Sequence, residues 1–337
     1  MSIRAPDGTL DSWAEISKHF SSCALLCGNG LSINVWPRFE YSSLFAQACD
    51  GALSPADVKL FAGSENFELT LSELNSAIRV NQALDIPTDV VFGRYRSIQR
   101  ALGHAIREVH VPRTAIPDGT LARIRAELVR YDWIFSISYD LLVYWAMRNP
   151  HDSYEPFVDL FRGRSRLRFD PARTDVATGN VPVLFPHGAL HLVVGGDGET
   201  WKLRQEQMRT LLDQFGEPIE GDSQARPLLV TEGTARDKLR AIEGNAYLSH
   251  VLDRLRRTSI PTVVFGASLG RQDEHLLEAL REHPTRPVAI SMVPGPRATL
   301  KLLQGDIWGR LAIDHVYFFN AETHPLGNPA LRVPSGA

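Results

Sequence analysis

Two spacings of apolar residues alternate along this chain. Where they recur every three or four positions, a helix with one buried face is expected. Trp13, Ile16 and Phe20 follow that spacing, with Asp11 as a cap and Ser12 and Glu15 at capping-box distance. So do Phe67, Leu71, Leu74 and Ile78, then Val91, Tyr95, Ile98, Leu102 and Ile106, then Leu121, Ile124 and Leu128. Elsewhere the apolar residues are consecutive, in short runs: Cys23 to Cys27, Trp133 to Ser138, Pro182 to Phe185, Leu228 to Thr231, Thr262 to Gly266, Pro287 to Val293 and His315 to Phe319. Helices are expected between several of them, notably Lys238 to Arg257 and Glu274 to Glu282. Continuous apolar strands alternating with helices predict an α/β fold, with a mainly parallel sheet and helices on both faces.

Residues 42–130 read as helix throughout, broken at Pro87 and between Val111-Pro112 and Ile116-Pro117. This predicts a helical layer inserted between the first two strands of one domain spanning 1–337. The segment after His324 is rich in Pro and Gly, so residues 325–337 are expected to form a loose tail. A chain of 337 residues can bury the core that such a domain needs.

Composition narrows the function classes. Hydrophobic residues make up 44% and charged residues 22%, as in ordinary globular proteins. The net charge of −3 gives no global basic field for nucleic acid. Arg162, Arg164, Arg166, Arg168 and Arg173 form a local basic run, read as a solvated face or as phosphate contacts. The three cysteines, Cys23, Cys27 and Cys49, include no Cys-x-x-Cys pair, so a four-cysteine zinc site is excluded. Cys23 and Cys27 read as small core residues. No run is long and apolar enough for a membrane span, and no leader pattern opens the chain, so a cytoplasmic protein is expected.

Four motifs can carry chemistry. Gly28-Asn29-Gly30-Leu31-Ser32 follows the first strand, where glycines allow positive φ and close backbone approach to a phosphate. The same turn is also what a tight strand exit needs, and Ile33 breaks the full G-x-G-x-x-G fingerprint. Phe135 to Leu142 ends a strand and places Ser138 and Asp140 before a helix, where both can cap it. Phe185-Pro186-His187-Gly188-Ala189-Leu190-His191 ends another strand. Gly188 should leave the His187 ring open to a cleft, where a neutral imidazole suits general-base work. His187 and His191 have H-x-x-x-H spacing, but Leu190 to Val194 read as extended chain ahead of the Gly195 to Gly198 hairpin loop. In a strand those two residues sit ~13 Å apart, too far to share a zinc ion, so no metal is expected and His191 reads as structural. Finally, Phe265 to His275 presents Gly266 and Ser268 at a strand end, suited to a second phosphate, with Asp273 as the cap of the next helix.

The segments GNGLS, FSISYDLL, PHGALH and FGASLGRQDEH, in that order, resemble bacterial sirtuin-like proteins, and in particular an uncharacterised branch of that superfamily. Phe39-Glu40-Tyr41-Ser42-Ser43-Leu44, Thr231 to Thr234, Asn245 to His250 and Phe318 to Ala321 look like the same branch, so the likeness runs from about residue 20 to about residue 325. The resemblance implies a Rossmann-like sheet that binds NAD, with His187 catalytic. It implies a cofactor site of Gly28, Asn29, Gly30, Ser32, Asp140, Gly188, Gly266 and Ser268. Related domains in phage-defence systems cleave NAD to nicotinamide and ADP-ribose, often only once an oligomer or an activating partner protein forms. Protein-deacylating sirtuins carry a four-cysteine zinc module that this chain lacks. Where the family pattern has asparagine before Tyr-Asp, this chain has Ser138, a shorter group with a rotating hydroxyl. Ser138 and Asn29 are then expected to support the ribose or the attacking water, with Glu68 a further candidate. Two other readings are a nucleotide-binding sensor without turnover and a nucleic-acid partner using Arg162 to Arg173.

Overall fold

A computed structural model describes residues 5–39, 44–148, 155–164, 166–172, 179–204, 211–214, 222, 224–230 and 234–333. The chain opens with α1 (Trp13–Ile16), β1 (Ala24–Cys27), α2 (Gly30–Val35), α3 (Leu44–Cys49), α4 (Pro55–Val58), α5 (Phe67–Ala83), α6 (Asp89–Val109) and α7 (Asp118–Leu128). Next come β2 (Trp133–Ser136), α8 (Leu142–Met147), β3 (Phe157–Val158), β4 (Phe161–Arg162), β5 (Leu167–Phe169), β6 (Val181–Leu184), β7 (Gly188–Val194), β8 (Thr200–Lys202), α9 (Leu211–Gln214) and β9 (Arg226–Leu229). The last part holds α10 (Ala235–Glu243), α11 (Ala246–Arg257), β10 (Thr262–Phe265), α12 (Glu274–Arg281), β11 (Val288–Met292), α13 (Arg297–Leu311) and β12 (Val316–Asn320).

Among the described residues seven strands form the main sheet in the order β12-β11-β10-β1-β2-β6-β3, and every pairing in it is parallel. The chain is thus α/β with a Rossmann-like sheet. Every residue of β1, β10 and β11 is buried, which requires cover on both faces of these strands. The connection from β1 runs through α2 to α7 before it reaches β2. One hydrophobic cluster joins Leu102 of that helical layer, Val264 of the main sheet and Val333 near the end of the described chain.

A second sheet, β4-β5-β8-β7-β9, is antiparallel; the apolar pattern marked the hairpin of β7 and β8 and, through Leu228, part of β9, which joins this sheet and not the parallel one, but it did not mark β4 and β5. Strands β4 and β5 are two and three residues long and partly exposed, too short to show a period. Other differences have plain causes. The N-cap of α1 is Ser12, in its capping box with Glu15, while the backbone of Asp11 bridges edge strand β12, with its N–H 2.9 Å from the Phe318 carbonyl. The expected helix from Lys238 to Arg257 is two helices, because Asn245 starts a new one by accepting from the Leu248 N–H at 3.0 Å.

The expected loose tail is pinned as far as Val333. Its N–H donates to the Val35 carbonyl at 2.9 Å, the Asn34 amide donates to the Leu326 carbonyl at 3.1 Å, and Leu326, Leu331 and Val333 are buried. Residues 334–337 lie outside the described part, as do 40–43, Arg173, 231–233 and the Glu68 side chain. Among the described residues no helix is long and apolar enough to cross a membrane.

Candidate functional site

From β1 the chain departs to β2 on one side, and from β10 it departs to β11 and β12 on the other. The carboxyl ends of β1 and β10 therefore flank the switch point of the sheet, where open α/β sheets bind ligands. Both glycine turns predicted to hold phosphates sit there, and they interlock. The Gly28 N–H donates to the Phe265 carbonyl and the Gly30 N–H to the Gly266 carbonyl, each at 2.8 Å. Gly266 has φ +66°, and a Cβ on it would lie 2.8 Å from Gly30 Cα. A Cβ on Gly30 would lie 2.5 Å from Gly266 Cα, and one on Gly28 2.6 Å from the Gly266 carbonyl oxygen. The Gly266 N–H donates to Ser291 Oγ at 2.9 Å. These glycines thus serve the approach of two backbones, and their N–H groups are already spent. Asn29 and Ser268 stand exposed beside them, although the Asn29 amide also donates to the Phe39 carbonyl at 3.3 Å.

Next to the interlocked turns is a cavity of about 570 Å³ lined by Gly30, Gly266, Ser268, Ile290, Glu322 and Arg332, among others. Its wall is largely apolar and a few polar groups reach it, as in small-molecule sites.

On the other side of β1, Asp140 gathers the polar residues. Its buried carboxylate accepts from Ser32 Oγ at 2.5 Å, from Ser138 Oγ, and from the Leu142 N–H at 2.7 Å. Asp140 therefore supports the first turn of α8, and it joins three predicted site residues in one cluster. Ser138 spends its single proton on Asp140, so it can accept from a further group but not donate to one. It does not cap the helix as expected.

His110, which the sequence did not mark, braces this loop. Its Nε2 accepts from the Leu141 N–H at 3.0 Å, and its Nδ1 lies 2.8 Å from the Val111 carbonyl, which fixes the Nδ1–H tautomer. Burial holds its pKa below the usual range, against the pull of Asp140. Nothing in the spacing around His110 points to this role.

His187 is not open to a cleft. It is 5% exposed, and its Nε2 lies 2.8 Å from Nε2 of His275, itself 1% exposed. Gly188 directs the ring inward rather than freeing it. The glycine has φ +71°, the Val230 N–H holds the His187 carbonyl at 2.8 Å, and a Cβ at Gly188 would meet the Leu228 carbonyl oxygen. Burial, the facing His275 and Lys238 hold the His187 pKa well below the usual range. Burial pushes that of His275 down to about 4. Asp273, expected to cap α12, makes no cap bond and instead pairs with Lys238 of α10 at 2.9 Å, both largely buried. His275 closes the fourth sequence motif; its chain position was the one signal that could have marked it.

His191 faces elsewhere, between the rings of Tyr144 (centroids 4.6 Å apart) and Phe185 (4.8 Å). The arginine run is partly matched by protein groups. Arg168 pairs with Glu199, Arg162 lies 3.9 Å from Asp170, and Arg166 sits 4.4 Å over the Trp201 ring. Cys23 and Cys27 are buried free thiols, and burial pushes the Cys23 pKa up to about 12, so neither is a nucleophile at neutral pH.

A model of the family described as "Domain of unknown function (DUF4917)" matches residues 25–326. No curated protein matches the sequence.

Proposed function

The chain belongs to the DUF4917 family, and we propose that it is a sirtuin-like protein that binds NAD and cleaves its nicotinamide–ribose bond. One observation carries the reading: a largely apolar cavity of about 570 Å³ opens at the switch point of a parallel sheet and is lined by both glycine turns. A flat ring fits the apolar wall near Ile290 and Leu300, ribose hydroxyls fit Glu322, and phosphates fit Ser268, Arg332 and the exposed Asn29. The Ser32–Asp140–Ser138 cluster and His187 lie at the ends of β2 and β6, on the other side of β1 from that cavity, suited to the nicotinamide half. In the reaction water adds its oxygen to the ribose C1′, the bond to nicotinamide breaks with the electron pair leaving on nicotinamide, and one proton is released. Ser138 accepts a hydrogen bond from the water or a ribose hydroxyl, and His187 contacts the ribose. The likeness to defence proteins supports a place in phage defence, with NAD depletion as the output.

A second reading has its own support. Ser138 is tied to Asp140 and His187 to His275, so both candidate catalytic groups are occupied within the protein. A nucleotide-binding sensor without turnover fits that arrangement. Calorimetric titration with NAD and a nicotinamide-release assay separate the two. The enzyme reading expects binding, slow turnover, loss of turnover in His187→Ala, and faster turnover in Ser138→Asn, by roughly tenfold or more, from the better-oriented amide. Binding with no release in either protein overturns it in favour of the sensor, and no binding overturns both.

A further inference from the structure

We infer that His275 is a positioning residue for His187: it donates from Nε2 to His187 Nε2 and so fixes His187 as the Nδ1–H tautomer. The use of this tautomer in NAD chemistry rests on the reading above, whereas the pairing does not.

The two Nε2 atoms are 2.8 Å apart, a hydrogen-bond distance. Two bare nitrogens would repel there and two N–H groups would collide, so one proton lies between them. Both rings are neutral at physiological pH, held so by burial, with Lys238 and Arg256 opposing a charge on His275 and Asp273 favouring one. One ring is therefore Nε2–H and the other Nδ1–H, and the choice for one dictates the choice for the other.

His275 decides it. Its Nδ1 is buried and has no hydrogen-bond partner. If His187 were the donor, His275 would carry its own proton on that orphaned nitrogen. Buried N–H groups are seldom left without an acceptor, and less often than acceptors are left without a donor. With His275 as donor, only a lone pair is left there. Both rings are buried and are carried on anchored backbone. His187 is held by the Val230 N–H and the Gly188 turn. His275 sits in the first turn of α12, which is anchored by Asp273 to Lys238 at 2.9 Å and by Glu274 to Arg281 at 2.7 Å and Arg310 at 3.1 Å. His187 thus offers a ligand an N–H from Nδ1. In this state it orients a ribose or water oxygen by donation and is not a base.

The test is a two-bond ¹H–¹⁵N correlation spectrum of the full chain labelled at histidine, at pH 7.5. His187 is assigned by its loss in His187→Asn. Expected are an Nδ1–H pattern for His187 in the wild type and the same pattern in His275→Gln, whose amide can donate to the same nitrogen. In His275→Leu the pattern should shift to the Nε2–H form that free imidazole favours. An Nε2–H His187 in the wild type overturns the inference, as does an unchanged tautomer in a folded His275→Leu. Should the leucine variant fail to fold, the wild-type and glutamine spectra decide alone. In the nicotinamide-release assay His275→Leu should lower kcat by roughly 10²-fold with little change in KM, and His275→Gln should recover most of it. The spectra need no NAD. Absence of turnover in the wild type removes the NAD-cleavage reading and leaves the tautomer to be judged; the wrong tautomer removes the role given to His275 and leaves NAD cleavage standing.

Discussion

Asp140 shows how much a single residue can organise. One carboxylate satisfies two hydroxyls and one backbone N–H in a buried loop. Removing the acceptor leaves three buried donors, and each unsatisfied buried group costs about 1–3 kcal/mol. Asp140→Ala should therefore lose about 3 kcal/mol or more of stability in urea unfolding. Asp140→Asn keeps an oxygen for the Leu142 N–H, and the Ser32 and Ser138 hydroxyls can rotate to accept from its amide, so it should lose only about 1 kcal/mol. Equal losses in the two variants would show that hydrogen bonding at Asp140 is not what holds the loop. The sequence placed Ser32, Ser138 and Asp140 in the site but could not show that they touch, because 108 positions separate Ser32 from Asp140. His275 was hidden for the same reason, with 88 positions between it and His187. The glycines were legible as glycines that matter. That Gly28, Gly30 and Gly266 serve one another needs both turns in view.

At the scale of elements, what could be read depended on length and burial. Six strands of the main sheet were legible as short, largely apolar runs, buried throughout in β1, β6, β10 and β11, whereas β3 was not, because it is only Phe157–Val158. The edge strand β4 of the antiparallel sheet was not legible either, because it pairs through only Phe161 and Arg162 and half of it faces solvent. The break between α10 and α11 was missed because apolar positions continue in near-helical step across Gly244, and only the cap reveals the restart. Asn245 makes two bonds there, accepting from the Leu248 N–H at 3.0 Å and donating to Thr200 Oγ1 at 2.9 Å. The second ties the helix pair to β8. Asn245→Asp preserves the cap and Asn245→Ser shortens it, while Asn245→Ala removes both bonds. The alanine variant should cost about 1–2 kcal/mol in thermal or urea unfolding, and the aspartate variant clearly less. An alanine variant as stable as the wild type would mean that α11 starts on its packing alone.

For the whole molecule, the buried histidines set the response to acid. Among the described residues His110, His187, His191, His275 and His324 are all buried. Burial is the leading cause of a lowered pKa in each, down to about 4 for His275 and about 3 for His324. In the unfolded chain the same rings titrate near ~6.5. Between these values the unfolded chain binds more protons than the native one, so stability rises with pH through the window. It is fully present above ~6.5 and is lost as pH falls toward the folded pKa values. Each such ring costs about 1.4 kcal/mol per pH unit below ~6.5, and several together approach the ~5–15 kcal/mol by which domains are stable. Glu127 acts in the opposite sense. Burial raises its pKa, so it takes up a proton more readily in the native state and offsets part of the loss at lower pH. The urea midpoint should therefore be level from pH 8 to 7 and fall steeply from about 6.5 to 5, with a proton uptake on unfolding of more than one. His191 offers the sharpest check. Its Nδ1 has no partner and its ring lies between Tyr144 and Phe185, so His191→Phe keeps an aromatic ring and deletes one titrating group. That variant should unfold with about one proton less taken up near pH 5 and show a shallower fall. If its pH dependence instead superimposes on the wild type, His191 keeps its solution pKa in the fold, and the acid response belongs to the other four rings.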